Sequence, residues 1–230
     1  MNLIDKKLPN RTLTSLMLLF LLISACSTEE KKSDLFNAGI YLIPYPQEVQ
    51  LGGEDFFPGS KLSIVLDNDA SEQDRFAATE MARQLQEEWG IIAELSDTPS
   101  GQSIILTHKD LPKEITEQPG KKAAQAYHLS TTTHQVVIRA KGESGLFYGA
   151  QTLLQIIKKG PNGAFVPGME ITDWPDIPER ACHYDTKHHQ DTREYVEDFI
   201  RELASYKINM LVWEWEDKFE YPSHPEIGAP

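Results

Sequence analysis

Residues 180–217, RACHYDTKHHQDTREYVEDFIRELASYKINMLVWEWED, decide how the rest of the chain is read. Arg180 to Asp185 and Asn209 to Asp217 read as strands. Between them, Asp191 to Lys207 places Val196, Phe199, Ile200 and Leu203 at i, i+3, i+4 and i+7, the spacing of one buried helical face. Strand, amphipathic helix and strand in that order predict one parallel βαβ unit. A closed (β/α)8 barrel takes about 250 residues, so residues 180–230 are expected to supply only the first two strands of a truncated TIM barrel.

Upstream, Trp174-Pro-Asp-Ile-Pro178 is stiff and proline-punctuated, which marks residues 173–179 as a linker. Before it, residues 38–172 form a separate segment. Lys61 to Leu66, Ile91 to Leu95, Gln102 to Thr107, Tyr127 to Thr131 and Gln135 to Ala140 read as short strands. Ser71-Glu-Gln-Asp74 opens a helix with a capping-box-like start, places Ala77, Ala78, Met81, Ala82, Leu85 and Trp89 on one face, and stops at Gly90. A second helix, from about Glu143 to Lys159, carries Leu146, Phe147, Ala150, Leu153, Leu154 and Ile157 and is expected to end at Gly160-Pro161. Two amphipathic helices over four or five strands predict a two-layer α+β domain.

The 230 residues, 40% apolar and 25% charged, are those of an ordinary globular protein. The net charge of −13, with no tract rich in Lys and Arg, argues against a nucleic-acid partner and against adhesion to an anionic membrane surface. Residues 1–25 have the form of a signal peptide. Lys6, Lys7 and Arg11 precede an apolar run, Leu16 to Ile23, that is shorter than the roughly 20 residues needed to span a bilayer. The run ends in Ile23-Ser-Ala-Cys26, similar to the lipobox of bacterial lipoproteins, after which residues 26–37 make a polar tether. Cys26 is then expected to be lipidated, giving an outer-membrane lipoprotein facing the periplasm or the cell surface. The alternative is a plain signal peptide with an incidental cysteine. With Cys26 lipidated, Cys182 is the only remaining thiol and reads as a small core residue of a strand.

Three further stretches carry a resemblance. Tyr41-Leu-Ile-Pro-Tyr-Pro-Gln47, Gly145-Leu-Phe-Tyr-Gly-Ala-Gln-Thr-Leu153 and Ile171-Thr-Asp-Trp-Pro175 are similar to the zincin-like N-terminal domain of glycoside hydrolase family 20, the β-N-acetylhexosaminidases. The resemblance implies a domain that holds no catalytic metal, packed on a TIM barrel, and an enzyme needing no cofactor. It also implies a glycan substrate with terminal N-acetylhexosamine and a substrate-assisted retaining mechanism, in which a Glu protonates the leaving oxygen, a preceding Asp orients the 2-acetamido group, and its carbonyl attacks the anomeric carbon. In the barrel part, Arg180 and Asp185 match the family's Arg and Asp with Ala181 in place of Gly, and Asn209 matches an Asn of the second strand. Glu214 stands where the family has His, Asp217 at the first of its paired aspartates and Lys218 at the second, a pattern that looks more like the hexosaminidase D type. By this resemblance Arg180, Asp185, Glu214 and Asp217 form one wall of the sugar pocket. The catalytic Asp-Glu pair belongs to a later strand and is missing from the chain.

Judged by their own chemistry, Glu214 and Glu216 share one strand face while Trp213 and Trp215 share the other. The carboxylates either accept hydrogen bonds from sugar hydroxyls or pair with Arg180 or Lys187 in a structural network. A self-contained acid/base pair at the ~5–5.5 Å separation of retaining glycosidases would have to flank the scissile bond, whereas two neighbours on one strand approach from the same side. His183, His188, His189 and His224 do not fall at recognised zinc spacings, so no metal is expected. The competing function is a non-catalytic cell-envelope lipoprotein with a carbohydrate-binding or scaffolding role. The lipobox reading is tested directly: fatty-acid labelling is expected in the wild type and absent in Cys26→Ala, and equal label in both refutes it.

Overall fold

The computed structural model describes residues 34–186, 191–215 and 220–226. Its largest unit is a mixed seven-stranded sheet in the order β1-β9-β5-β6-β4-β2-β3. These strands are β1 (Glu48–Leu51), β2 (Lys61–Leu66), β3 (Ile92–Ser96), β4 (Ser103–Thr107), β5 (Tyr127–Thr131), β6 (Gln135–Ala140) and β9 (Met169–Asp173). The pairs β2/β3, β2/β4 and β4/β6 are parallel, whereas β5 runs antiparallel to β6 and β9, and β1 antiparallel to β9. The short helices α1 (Asp34–Asn37), α3 (Lys113–Thr116) and α4 (Lys121–Gln125) fill connections, while α2 (Glu72–Trp89) and α5 (Glu143–Ile156) pack on each other and on the strands.

The two long helices form for the reasons their sequences give. Ser71 Oγ accepts the Asp74 backbone N–H at 3.1 Å, and Asp74 Oδ2 accepts the Ser71 N–H at 2.9 Å, completing the capping box. Gly90 closes α2 in the left-handed conformation, φ 66°. Ala77, Ala78, Met81 and Leu85 are buried against the sheet; a fully buried aliphatic side chain contributes roughly 1.5–3 kcal/mol over an exposed one. In α5, Gly145 and Gly149 lie one turn apart on the face toward the strands. A Cβ at Gly149 would fall 2.4 Å from Ile138 Cγ2, and one at Gly145 would fall 2.4 Å from the Ala126 carbonyl oxygen. The Leu-Phe-Tyr-Gly-Ala-Gln-Thr stretch is therefore constrained by contact distance: only glycine lets this helix lie so close to β6.

Two expectations change. The sheet has seven strands rather than four or five, because β1 and β9 add an antiparallel edge. Helix α5 ends at Ile156; Ile157 turns extended, and β7 (Lys158–Gly160) pairs with β8 (Gly163–Phe165) as a hairpin where a last helical turn was expected.

Beyond the linker, β10 (Ala181–Asp185), α6 (Arg193–Ser205) and β11 (Met210–Glu214) form the expected βαβ unit, with β10 and β11 parallel. Thr192 caps α6 through its hydroxyl and the Tyr195 N–H, 3.2 Å. Cys182 is a half-buried free thiol within β10.

One polar cluster sits at the carboxyl ends of β2, β4 and β6. His108 places Nδ1 2.7 Å from the Ala140 carbonyl oxygen and Nε2 3.2 Å from both oxygens of Asp74, which is 2% exposed. A carbonyl and a carboxylate only accept, so this geometry is satisfied in full when both ring nitrogens donate, the arrangement of an imidazolium. Burial opposes that charge and is the largest single influence, yet the Ala140 carbonyl, Asp74 and Asp67 together raise its pKa above the ordinary value. Asp67 also accepts the His108 backbone N–H at 2.9 Å and holds Lys109 Nζ at 2.9 Å. Because the folded-state pKa is raised, the stabilisation is fully present below the unfolded value of about 6.5 and is lost as pH rises through the folded value. The difference in thermal midpoint between wild type and His108→Gln should therefore shrink from about pH 6 to about pH 9; a constant or growing difference counts against the imidazolium.

Candidate functional site

The parallel register makes Asp185 and Glu214 direct partners at the carboxyl ends of β10 and β11. Their side chains lie on one face with Ala181, His183, Met210 and Val212, and all but the half-buried Glu214 are exposed. His183 Nε2 lies 2.7 Å from Glu214 Oε2. Thr186, buried just past β10, donates its hydroxyl to the Glu214 carbonyl at 2.9 Å, which ties the two strand ends together. The opposite face is aromatic: Tyr184 packs on Phe199 of α6 at 5.4 Å and on Trp213 at 5.2 Å, and Trp213 stacks on Trp215 at 4.5 Å. The result is a strand-end rim with two carboxylates and an imidazole, equipped to exchange hydrogen bonds with hydroxyls.

Arg180 is placed elsewhere. At about 3.3 Å rise per residue, five residues separate it from Asp185 by roughly 16 Å along the strand. It precedes the amino end of β10, where Nε donates to the Lys207 carbonyl at 2.7 Å and Nη1 to Gln125 Oε1 and the Ile177 carbonyl, both at 2.9 Å. Its guanidinium lies over the Tyr148 ring, 5.2 Å from the centroid. The structure thus brings Asp185 and Glu214 together but separates Arg180 from both, because this side chain fastens the βαβ unit to α4 and α5. Asp217, Glu216, Lys187, Lys218, His188 and His189, like Cys26, lie outside the described residues. His224 is exposed and faces Glu226 at 3.2 Å.

A buried network at the amino ends of the two strands was not anticipated. Lys207 follows α6 with φ +60° and is 4% exposed. Its Nζ lies 2.8 Å from Asp173 Oδ2 and 2.8 Å from the Tyr127 hydroxyl, and 4.8 Å from the centroid of the Tyr127 ring. The Tyr127 hydroxyl also meets Thr152 Oγ1 at 2.6 Å and Asp173 at 3.0 Å. Burial lowers the pKa of Lys207 against the opposing pull of Asp173, and burial raises that of Tyr127 well above the ordinary value, with Asp173 adding to it. Asn209 completes the anchor: Oδ1 accepts the Arg180 N–H and Nδ2 donates to the Pro178 carbonyl, both at 2.8 Å. A lysine just past a helix reads as an ordinary C-terminal cation, so its occupancy of a position that favours glycine was the one available signal.

The family profile described as "Glycosyl hydrolase family 20, domain 2" matches residues 39–174. A beta-hexosaminidase of Porphyromonas gingivalis is 27% identical over 225 residues, covering 90% of this chain and 28% of that protein. An N,N'-diacetylchitobiase of Vibrio harveyi is 25% identical over 215 residues, covering 89% of this chain and 22% of that protein. The chain thus spans about a quarter of the length of the curated relatives it matches. Among solved structures, a Flavobacterium johnsoniae chitobiase superposes with TM-score 0.67 at 21% identity, over 83% of this chain and 30% of that one. A β-N-acetylhexosaminidase of Streptomyces coelicolor superposes with TM-score 0.66 at 25% identity, over 80% and 37%.

Removing one member of a buried ion pair strands the other charge, which typically costs about 3–5 kcal/mol. Lys207→Met is expected to cost that much in urea unfolding, and Lys207→Met combined with Asp173→Leu to regain most of it. A cost below about 1 kcal/mol for the single variant would mean that the pair contributes little.

Proposed function

The chain belongs to glycosyl hydrolase family 20, and from that membership we propose that it is the N-terminal part of a β-N-acetylhexosaminidase that removes terminal N-acetylhexosamine from glycans. In this reading residues 38–172 are the family's zincin-like domain, and β10, α6 and β11 open its TIM barrel. The single observation that carries the activity is the register pairing of Asp185 with Glu214 at the carboxyl ends of two parallel strands, the end at which (β/α)8 enzymes hold their substrates. His183, Asp185 and Glu214 would bind sugar hydroxyls on one wall of the pocket, and the family resemblance assigns Asp217 the same role. Arg180 is withdrawn from that wall and assigned to the anchor.

The chemistry itself would be substrate-assisted. A general acid protonates the leaving oxygen while the 2-acetamido carbonyl attacks the anomeric carbon, and an Asp next to that acid holds the amide in line. No Asp is followed directly by Glu anywhere in the 230 residues, so the wall described here binds and orients. The lipidated Cys26 would fix the protein to the outer membrane, facing the periplasm or the cell surface.

The test uses aryl N-acetylglucosaminide and N-acetylgalactosaminide. The 230-residue polypeptide is expected to give no turnover. The natural polypeptide carrying an adjacent Asp and Glu should turn over, and should lose about 10²–10⁴-fold when that Glu becomes Gln. Turnover by the 230-residue polypeptide that disappears in Glu214→Gln or Glu216→Gln would overturn this assignment in favour of a one-strand carboxylate pair.

A further inference from the structure

A cleft of about 230 Å³ opens between the Pro44-Tyr45 arm and the Trp174–Ile177 linker, floored by Tyr148 and Arg180. It lies at the amino ends of β10 and β11. Asp185 and Glu214 are a strand length away, roughly 16 Å at about 3.3 Å per residue, so the cleft is separate from the strand-end rim.

Its lining combines two kinds of surface. Tyr45, 51% exposed, and Trp174 contribute aromatic rings. Among the described residues, the Tyr45 hydroxyl, the Trp174 indole N–H and the Asp176 carboxylate have no hydrogen-bond or ion-pair partner, although each belongs to a residue lining the cleft. The Tyr148 hydroxyl, Gln47 Oε1 and Arg180 Nη2 are likewise without a partner among the described residues, and the other polar groups are committed. Gln47 donates to the Trp174 carbonyl at 3.2 Å, Arg180 donates to carbonyls, and Lys207 is paired with Asp173. The groups left to a ligand are therefore aromatic surface, two phenol hydroxyls, an indole N–H, one guanidinium nitrogen, an amide oxygen and a carboxylate.

A pyranose ring fits that inventory. Its C–H faces lie against aromatic rings and its rim of hydroxyls exchanges hydrogen bonds with a carboxylate and with indole and phenol groups. A phosphate or carboxylate ligand would meet the Asp176 carboxylate as well as Arg180, most of whose donors are already held by carbonyls and Gln125. A purely apolar ligand would leave these polar groups unmet. The volume falls below the ~300–1,000 Å³ of drug-sized pockets, which restricts the occupant to about one ring.

We propose that this cleft is a second, non-catalytic saccharide site that holds a single neutral sugar ring of the glycan, away from the rim at the strand ends. The choice of N-acetylglucosamine as probe rests on the family-20 assignment. The readout is binding and not turnover, so a protein that fails to hydrolyse aryl hexosaminides can still pass this test, and the reverse.

The experiment titrates the full 230-residue chain with N-acetylglucosamine and follows backbone amides by NMR. Saturable shifts are expected around residues 44–47 and 174–177, with a dissociation constant of about a millimolar, the scale for so small a ligand. Tyr45→Ala should weaken binding about tenfold, the size of effect expected for an aromatic contact of this kind. Asp176→Asn should weaken it severalfold. Both side chains are exposed and outside the Lys207 anchor, so the fold is retained, and unchanged amide spectra away from the cleft confirm it. Absence of saturable shifts overturns the proposal, as does binding that Tyr45→Ala and Asp176→Asn leave intact. Binding lost instead in the Asp185→Asn, Glu214→Gln double variant would place the sugar at the strand ends and overturn it equally.

Discussion

The ammonium of Lys207 is the buried centre of the contacts that hold β10, α6 and β11 to the large sheet. A lysine head group taken out of water is costly unless it is paired and hydrogen-bonded. Here it has one carboxylate, one phenol oxygen and an aromatic ring within reach. The backbone accepts a further cost to put it there, since φ +60° disfavours a residue with a Cβ. The same residue gives its carbonyl to Arg180, whose other donors hold Gln125 and Ile177. Both parallel strands start within three residues of this cluster. Their origin is fixed against β5, β9 and α4 before any side chain at their far ends is placed.

This arrangement explains which parts of the fold could be foreseen. The long helices were legible because their information is local: a capping box three residues wide, apolar positions at helical spacing, and a glycine able to take φ 66°. All five expected strands of the large sheet fall within one residue of their observed bounds for the same reason. What was not legible is long-range. β1 and β9 pair across more than a hundred residues, and neither four residues of β1 nor five of β9 carries a periodicity that distinguishes a strand from a loop. The end of α5 was misplaced because Gly160 and Pro161 look like a helix stop, whereas they form one arm and the turn of the β7-β8 hairpin.

The site divides along the same line. Asp185 and Glu214 could be put on one face by counting along strands, and the parallel register that makes them partners follows from the βαβ reading. The motif match alone puts Arg180 in the pocket. Motif spacing gives the position of a residue in a strand but not which end of the strand faces the ligand. The Tyr127, Asp173 and Lys207 cluster joins residues 34 and 80 apart in sequence, and each alone reads as ordinary: a strand tyrosine, an acid before a proline-rich linker, a cation after a helix.

Helix α6 shows what the anchor is for. None of its residues is buried; Ile200 is 44% exposed, and on the strands it accompanies Met210 and Val212 are 44% and 45% exposed. A two-stranded unit with so little burial has almost no stability of its own. Its position must come from outside, and the contacts available are the buried ion pair, the Arg180 and Asn209 hydrogen bonds, and the bridge from Gln155 to the Ser205 carbonyl at 2.8 Å. The large sheet therefore acts as the rigid body and the βαβ unit as the part it aims. An error of a few degrees at the amino ends grows along the strand toward Asp185 and Glu214. A buried, bonded lysine at the pivot is a stiffer support than the apolar contacts these elements share, which favours keeping a charge where hydrocarbon alone would be less costly to bury.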